Sequence, residues 1–131
     1  MKRYRLGLCA VGFAGALLAS TAVLAGFMTA QPVVIVDSPN RGYPFANGDL
    51  GLVATTADTT QYIGCYSTNG GGACFAKDKT GLTRSCATSV PSVLAAIRSL
   101  HGDSYLTFGW DNSGNCAFVQ VYNGSDHPQK R

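Results

Sequence analysis

After residue 61, short runs rich in apolar and aromatic residues are separated by turn-forming residues, and in one of them Leu106, Phe108 and Trp110 alternate onto one face. These bounded runs predict strands. Their predicted ranges are 62–68, 73–78, 82–87, 105–111 and 116–122. Asn69-Gly70 is a strong signal for a type I′ hairpin turn, and Lys79-Thr80-Gly81 fits a three-residue loop with a left-handed glycine. We therefore expect the first three of these strands to form two consecutive hairpins.

The period becomes helical between the third and fourth predicted strands. Apolar residues at helical spacing predict a helix over residues 91–100. The resulting order, β-β-β-α-β-β, predicts an α+β fold in which one helix packs on one face of a small antiparallel sheet. We assign residues 61–131 to this compact domain. At about 70 residues its core alone is marginal, so we expect disulfides to hold it together.

The first 25 residues have the pattern of a secretory signal peptide. Three basic residues precede a long uncharged run, which extends from Leu6 to Ala30 and ends in small residues. We expect cleavage after Ala25, with Ala30 as a second candidate. The run is also long enough for an uncleaved membrane anchor, although its many Ala and Gly residues make it weakly hydrophobic. With cleavage, Cys9 is lost and the protein becomes secreted or periplasmic.

Residues 26–60 have no sustained periodicity. Turn-forming residues are frequent there, notably in the segments 37–42 and 47–49. A short apolar run at residues 33–36 is compatible with one strand. We expect this region to be an irregular N-terminal arm.

The charge distribution argues against a nucleic-acid partner. The chain carries a net charge of +3, and its seven acidic groups are all Asp. Removal of residues 1–25 would leave seven basic and seven acidic groups. Tight binding to nucleic acid needs clustered cations, and Asp78 separates Lys77 from Lys79. We expect no nucleic-acid partner, and no membrane attachment after cleavage.

Four cysteines remain after cleavage: Cys65, Cys74, Cys86 and Cys116. An even number in an exported domain predicts disulfides, and the wide spacing differs from the close pairs of zinc sites. The predicted hairpin registers place both Cys65 and Cys86 opposite Cys74. The pairing therefore stays open between 65–74 with 86–116 and 74–86 with 65–116.

No set of residues has the spacing of a catalytic, metal or cofactor site. His101, Asp103 and Ser104 are sequence neighbours, whereas a catalytic triad is defined by spatial geometry. The segment 111–115 lacks the ligand spacing of a calcium loop and fits a hairpin turn. We therefore predict a protein that is not an enzyme, with no cofactor and no bound metal.

Aromatic residues give the best candidates for a binding surface. Tyr62 and Tyr66 share one strand face, with Gly64 between them. Phe108 and Trp110 lie on one face of the fourth predicted strand. If Trp110 opposes Cys116, Phe118 opposes Phe108, and this row is either core or an exposed strip. The candidate surface residues are Tyr62, Tyr66, Arg84, Trp110 and Tyr122.

Residues scattered over about 60–128 carry a family resemblance. They include Gly64-Cys65, Cys74-Phe75-Ala76, Ser85-Cys86, Asp103-Ser104-Tyr105, Trp110-Asp111 and Cys116. In these positions the chain resembles a group of short exported bacterial four-cysteine proteins. That resemblance implies export and a disulfide-linked domain, with no assigned activity. Gly64-Cys65-Tyr66 is also similar to the start of carbohydrate-binding WSC domains, which contain more cysteines in a different order.

These observations predict an exported, non-enzymatic domain that acts by surface contacts with a protein or glycan partner. The alternative is a secreted protease inhibitor. Such an inhibitor would present a disulfide-braced loop, either Gly70 to Gly72 or Lys79 to Arg84, because a rigid loop binds at low entropic cost.

Overall fold

The computed structural model describes residues 31–124. The predicted signal peptide, both candidate cleavage sites, Cys9 and the chain after residue 124 lie outside the described residues. The elements follow the chain in this order: β1 (Val34–Val36), β2 (Phe45–Asp49), α1 (Leu50–Thr55), β3 (Tyr62–Ser67), β4 (Gly72–Lys77), β5 (Thr83–Thr88), α2 (Pro91–Arg98), β6 (Tyr105–Trp110) and β7 (Cys116–Tyr122).

The described strands form two antiparallel sheets. One has the order β1-β2-β6-β7 and the other the order β3-β4-β5. The predicted α+β class with disulfides is confirmed, but the prediction of a single sheet with one helix is wrong. The β6–β7 hairpin pairs with β2, a strand from the N-terminal region. It therefore forms a separate sheet and does not extend the β3-β4-β5 hairpins.

The expectation of an irregular arm is wrong for its described part, which contributes β1, β2 and α1. The turn-forming residues Asn47-Gly48-Asp49 belong to the strand β2. Gly48 packs closely on Val33, since a Cβ there would lie 3.2 Å from the Val33 Cα. Asp49 is fully buried, and its Oδ2 accepts the backbone N–H of Gln31 at 2.7 Å. A local pattern of turn formers is thus overridden by tertiary contacts.

The core lies between the inner faces of the two sheets and is closed by α2. Leu106 and Phe108 of β6 are fully buried, and Leu94 and Ile97 of α2 join the same cluster. The helix approaches β4 closely, since a Cβ on Gly72 would lie 3.0 Å from a Leu94 methyl group. The predicted helix is confirmed, although α2 ends at Arg98.

The hairpin registers of β3, β4 and β5 are those predicted. Cys65 is opposite Cys74, and Cys74 is opposite Cys86. Gly81 has the predicted left-handed conformation, with φ of +91°. The prediction of a type I′ turn at Asn69-Gly70 is wrong, because neither residue has a positive φ. The backbone N–H and hydroxyl of Thr68 close that turn by donating to the Gly71 carbonyl.

A β-bulge changes which residues of β7 face the core. Trp110 is opposite Cys116, but the register then shifts, and Phe108 is opposite Val119. Phe118 consequently lies on the outer face, where its ring covers Gly109. The predicted pairing of Phe108 with Phe118 is therefore wrong, because the bulge inserts one residue that strict alternation does not anticipate.

Within residues 31–124, neither helix combines the length and the apolar character needed to cross a membrane.

Candidate binding surface

Two disulfides lie between the sheets and brace the β3-β4-β5 sheet. Cys65 pairs with Cys74, with Cα atoms 4.0 Å apart, and Cys86 pairs with Cys116, with Cα atoms 4.9 Å apart. The pairing left open by the sequence is thereby decided. The first disulfide joins adjacent strands of one sheet, and the second joins β5 to β7 of the other sheet. Disulfides of this kind persist in oxidising compartments.

The outer face of the β3-β4-β5 sheet carries an aromatic cluster, which we call the aromatic platform: Tyr62, Tyr66 and Phe75. Alternation places Tyr62, Gly64 and Tyr66 on the face opposite the cysteines. Phe75 joins them because it is directly opposite Gly64 in the register. The platform therefore follows from the same register that aligns Cys65 with Cys74.

Both tyrosines of the platform are open to solvent. Tyr62 is 39% exposed and Tyr66 is 57% exposed, whereas Phe75 between them is half-buried. Tyr62 and Phe75 pack in an edge-to-face arrangement, with ring centroids 5.6 Å apart and ring planes at 62°. A Cβ on Gly64 would lie 3.6 Å from the Phe75 ring, so the ring fills the space above the glycine. The tyrosines therefore flank a small apolar floor.

Hydroxyl groups and one cation border the platform. Across β4, Lys77 is opposite both Tyr62 and Thr83, and Ser85 is opposite Phe75. Thr83 and Ser85 are exposed beside the rings, and the Thr83 hydroxyl also donates to the Gly81 carbonyl at 3.4 Å. The surface thus combines flat apolar area with neutral hydrogen-bonding groups and carries little charge.

The tight β4–β5 turn holds the two strands in register at one end of the platform. Asp78 Oδ1 accepts the Thr80 hydroxyl at 2.6 Å and the Leu82 backbone N–H at 3.1 Å. The Thr80 hydroxyl, helped by backbone N–H groups of the turn, lowers the pKa of Asp78 below its ordinary value. The ionised carboxylate thus favours the folded turn.

An open groove of about 380 Å³ adjoins the platform at Tyr62. Its walls include Leu50 and Val53 of α1 and Ile63 of β3. Gln61, which also lines the groove, is fixed by two contacts: its Oε1 accepts the Val33 N–H, and its Nε2 donates to Asp58. Sequence reasoning missed this groove because it did not predict α1.

The structure does not bring the five predicted surface residues together. Tyr62 and Tyr66 lie on the platform. Tyr122 is 52% exposed, but it lies on the outer face of the other sheet, opposite Tyr105. Trp110 is half-buried and packs against Phe108, with ring centroids 5.9 Å apart. Trp110 therefore belongs mainly to the core, while Phe75 is the platform residue that the prediction omitted.

Arg84 points to the inner side of its sheet and is held by an ion pair. Its Nε donates to Asp37 Oδ1 at 2.7 Å, and its Nη2 donates to Oδ2 of the same carboxylate. Hydrogen bonding to Asp37 raises the pKa of the Arg84 guanidinium. A protease that used this arginine as an anchor would have to break the bidentate pair first.

The Ser104 hydroxyl serves a structural role between two segments. Ser104 is fully buried, and its Oγ accepts the His101 backbone N–H at 2.8 Å and donates to Asn123 Oδ1. These contacts tie the α2–β6 connection to the end of β7. They engage the backbone of His101 and not its imidazole ring.

Comparisons with protein-family models, curated proteins and solved structures find no match to this chain.

Proposed function

We propose that the protein is an exported, non-enzymatic binding domain whose aromatic platform takes a neutral, extended glycan. The observation that carries this proposal is the exposure of Tyr62 and Tyr66 around Phe75 on an open sheet face. Large aromatic side chains are costly to leave in water, and exposed clusters of them are typical of binding sites.

The spacing of the platform suits a linear ligand. Tyr62 and Tyr66 are four residues apart on one strand, a separation of about 13 Å at the usual rise. Phe75 lies in the row midway between them. Flat C–H faces of successive sugar rings would pack on the aromatic rings, and sugar hydroxyls would reach Tyr, Thr83 and Ser85.

Low charge favours a glycan over an ionic ligand. Lys77 is the charged residue in the rows that contain the platform. A neutral polyhydroxylated chain needs apolar floor and hydroxyl partners, and the platform supplies both. The groove beside Tyr62 would extend the contact beyond the last aromatic ring.

Export is supported by two independent features. The basic head and long uncharged run at the N-terminus have the pattern of a signal peptide. The two disulfides are those expected of a small domain in an oxidising compartment. The resemblance to short exported bacterial proteins agrees with both.

An array of neutral linear glycans tests the proposal, with protein recovered from the cell exterior or periplasm. We expect binding by the natural protein and a loss of at least about tenfold in the double variant Tyr62→Ala/Tyr66→Ala, because stacking surfaces act as binding hot spots. The matched control is Tyr122→Ala, since Tyr122 is similarly exposed on the opposite outer face. If the protein bound no glycan but captured a protein that the double variant does not capture, the partner of the platform would be a protein and not a glycan.

A further inference from the structure

Four sulfur atoms form one cluster between the two sheets. The Sγ atoms of Cys74, Cys86 and Cys116 all lie within 4.8 Å of one another. The Sγ of Cys65 is bonded to that of Cys74. The two disulfides are therefore direct neighbours, and a thiolate released from one would be formed beside the other.

The four cysteines differ in access to solvent. Cys74, Cys86 and Cys116 are 0%, 3% and 7% exposed, whereas Cys65 on the edge strand β3 is half-buried. Thiol–disulfide exchange begins with attack of a thiolate on an accessible sulfur. An external thiol therefore meets Cys65 first.

Cys74 lies on the central strand and has a cysteine on each side. It is opposite Cys65 on β3 and opposite Cys86 on β5. Directly opposed residues of antiparallel strands have Cα separations of about 4.5–5.5 Å, which suit a disulfide. Cys74 can therefore exchange Cys65 for Cys86 without a change of strand register.

We propose that these cysteines form a thiol–disulfide exchange switch centred on Cys74. The thiolate of a small external thiol attacks Cys65 Sγ and forms a mixed disulfide, and the Cys65–Cys74 bond breaks to leave a Cys74 thiolate. That thiolate attacks Cys86 Sγ, which forms Cys74–Cys86 and breaks Cys86–Cys116. The electron pair leaves on Cys116, which takes a proton from water. One external thiol is consumed as the mixed disulfide, and the number of disulfide bonds within the protein falls from two to one.

The switch changes how the two sheets are joined. Cys86–Cys116 is the disulfide that links β5 to β7, and within the described residues no other disulfide links the sheets. After exchange, the remaining internal disulfide lies within the β3-β4-β5 sheet. The direct backbone bond from the Ala87 N–H to the Gly114 carbonyl, 3.0 Å long, would then hold β5 near β7 without covalent support. The shared apolar core would still pack the sheets together, but no disulfide within the described residues would link them, while the platform keeps its register.

Disulfide mapping after limited reaction with glutathione tests this proposal. The oxidised full-length protein is treated with reduced glutathione at mildly alkaline pH, where thiolates form. Free thiols are then alkylated, and the digested peptides are analysed by mass spectrometry. Trypsin separates Cys86 and Cys116 from the other two, and chymotryptic cleavage after Tyr66 separates Cys65 from Cys74.

The expected product carries glutathione on Cys65, a Cys74–Cys86 link and an alkylated Cys116. The double variant Cys86→Ser/Cys116→Ser is the control, since it keeps the first step and should instead show an alkylated Cys74. Three outcomes with the natural protein would overturn the proposal: alkylated Cys74 with Cys86–Cys116 intact, glutathione first on Cys86 or Cys116, or no reaction.

A Cys65→Ser variant tests the second step without glutathione. It leaves Cys74 as a thiol beside the Cys86–Cys116 bond. We expect a mixture in which a large share of the chains carries Cys74–Cys86 and a free Cys116. Recovery of Cys86–Cys116 alone, with all of the free thiol on Cys74, would contradict the switch.

Discussion

At the residue scale, individual glycines define how closely the layers can approach. A Cβ on Gly72 would lie 2.7 Å from the Tyr66 carbonyl oxygen and 3.0 Å from a Leu94 methyl group. A Cβ on Gly64 would meet only the Phe75 ring, at an ordinary contact distance of 3.6 Å. The two glycines lie on neighbouring strands of one sheet, yet only Gly72 is sterically required.

We predict that Gly72→Ala destabilises the protein by about 1–3 kcal/mol, because the added methyl group overpacks a backbone oxygen and the helix α2. The matched change Gly64→Ala should be neutral or stabilising by about 0.4–1 kcal/mol, since it removes freedom from the unfolded chain. Denaturant unfolding of both variants checks this. Equal losses of unfolding free energy would show that the close approach of α2 to β4 is not as described.

Residue-level sequence reasoning gave the register of the cysteines but not their pairing. Cys74 has a cysteine opposite it on each neighbouring strand, so local geometry allows two answers. The choice depends on where Cys116 lies, and that position is set by the packing of one sheet on the other. Separation along the chain does not encode this packing.

At the element scale, the β4–β5 turn connects local chemistry to the platform. Asp78 accepts hydrogen bonds from Thr80 and Leu82, and these bonds lower its pKa. A carboxyl group whose pKa is lower in the folded state contributes stability above its unfolded pKa of about 3.9. That contribution is lost as the pH falls through the lower folded value.

We predict that Asp78→Asn lowers the thermal midpoint at neutral pH, because the ionised carboxylate that closes the turn is lost. The difference from the natural protein should begin to shrink below about pH 3.9, where the carboxyl of the unfolded chain takes up a proton, and should vanish below the lower folded pKa of Asp78. Lys79→Gln, a charge change at an exposed site in the same loop, should leave the midpoint nearly unchanged. A difference between Asp78→Asn and the natural protein that stays constant with pH would contradict the role of the carboxylate.

Elements with a strong local pattern were predictable, and those built from turn formers were not. The helical period of α2 and the turn-forming residues that bound the hairpin strands appear in the residues themselves. The strand β2 reads Phe-Ala-Asn-Gly-Asp, and it forms because β6 pairs with it and Val33 packs against Gly48. The bulge that turns Phe118 outward likewise depends on tertiary packing.

At the scale of the whole molecule, two separate sheets leave two outer faces, and the candidate site occupies one of them. The sequence predicted that Tyr62 and Tyr66 share a face. It did not predict that this face is open, because exposure depends on β3-β4-β5 forming its own sheet. Tyr122 is exposed on the opposite outer face, so a substitution there serves as a matched control for substitutions of Tyr62 and Tyr66.

The most direct test of the platform is a titration of isotope-labelled protein with the glycan that binds best on the array, followed by amide chemical shifts. We predict that the largest changes fall on Tyr62, Tyr66, Phe75 and the adjoining β5 residues, and that they vanish in Tyr62→Ala/Tyr66→Ala. Changes centred on Tyr122 and Phe118, on the other outer face, would contradict the assignment of the binding surface.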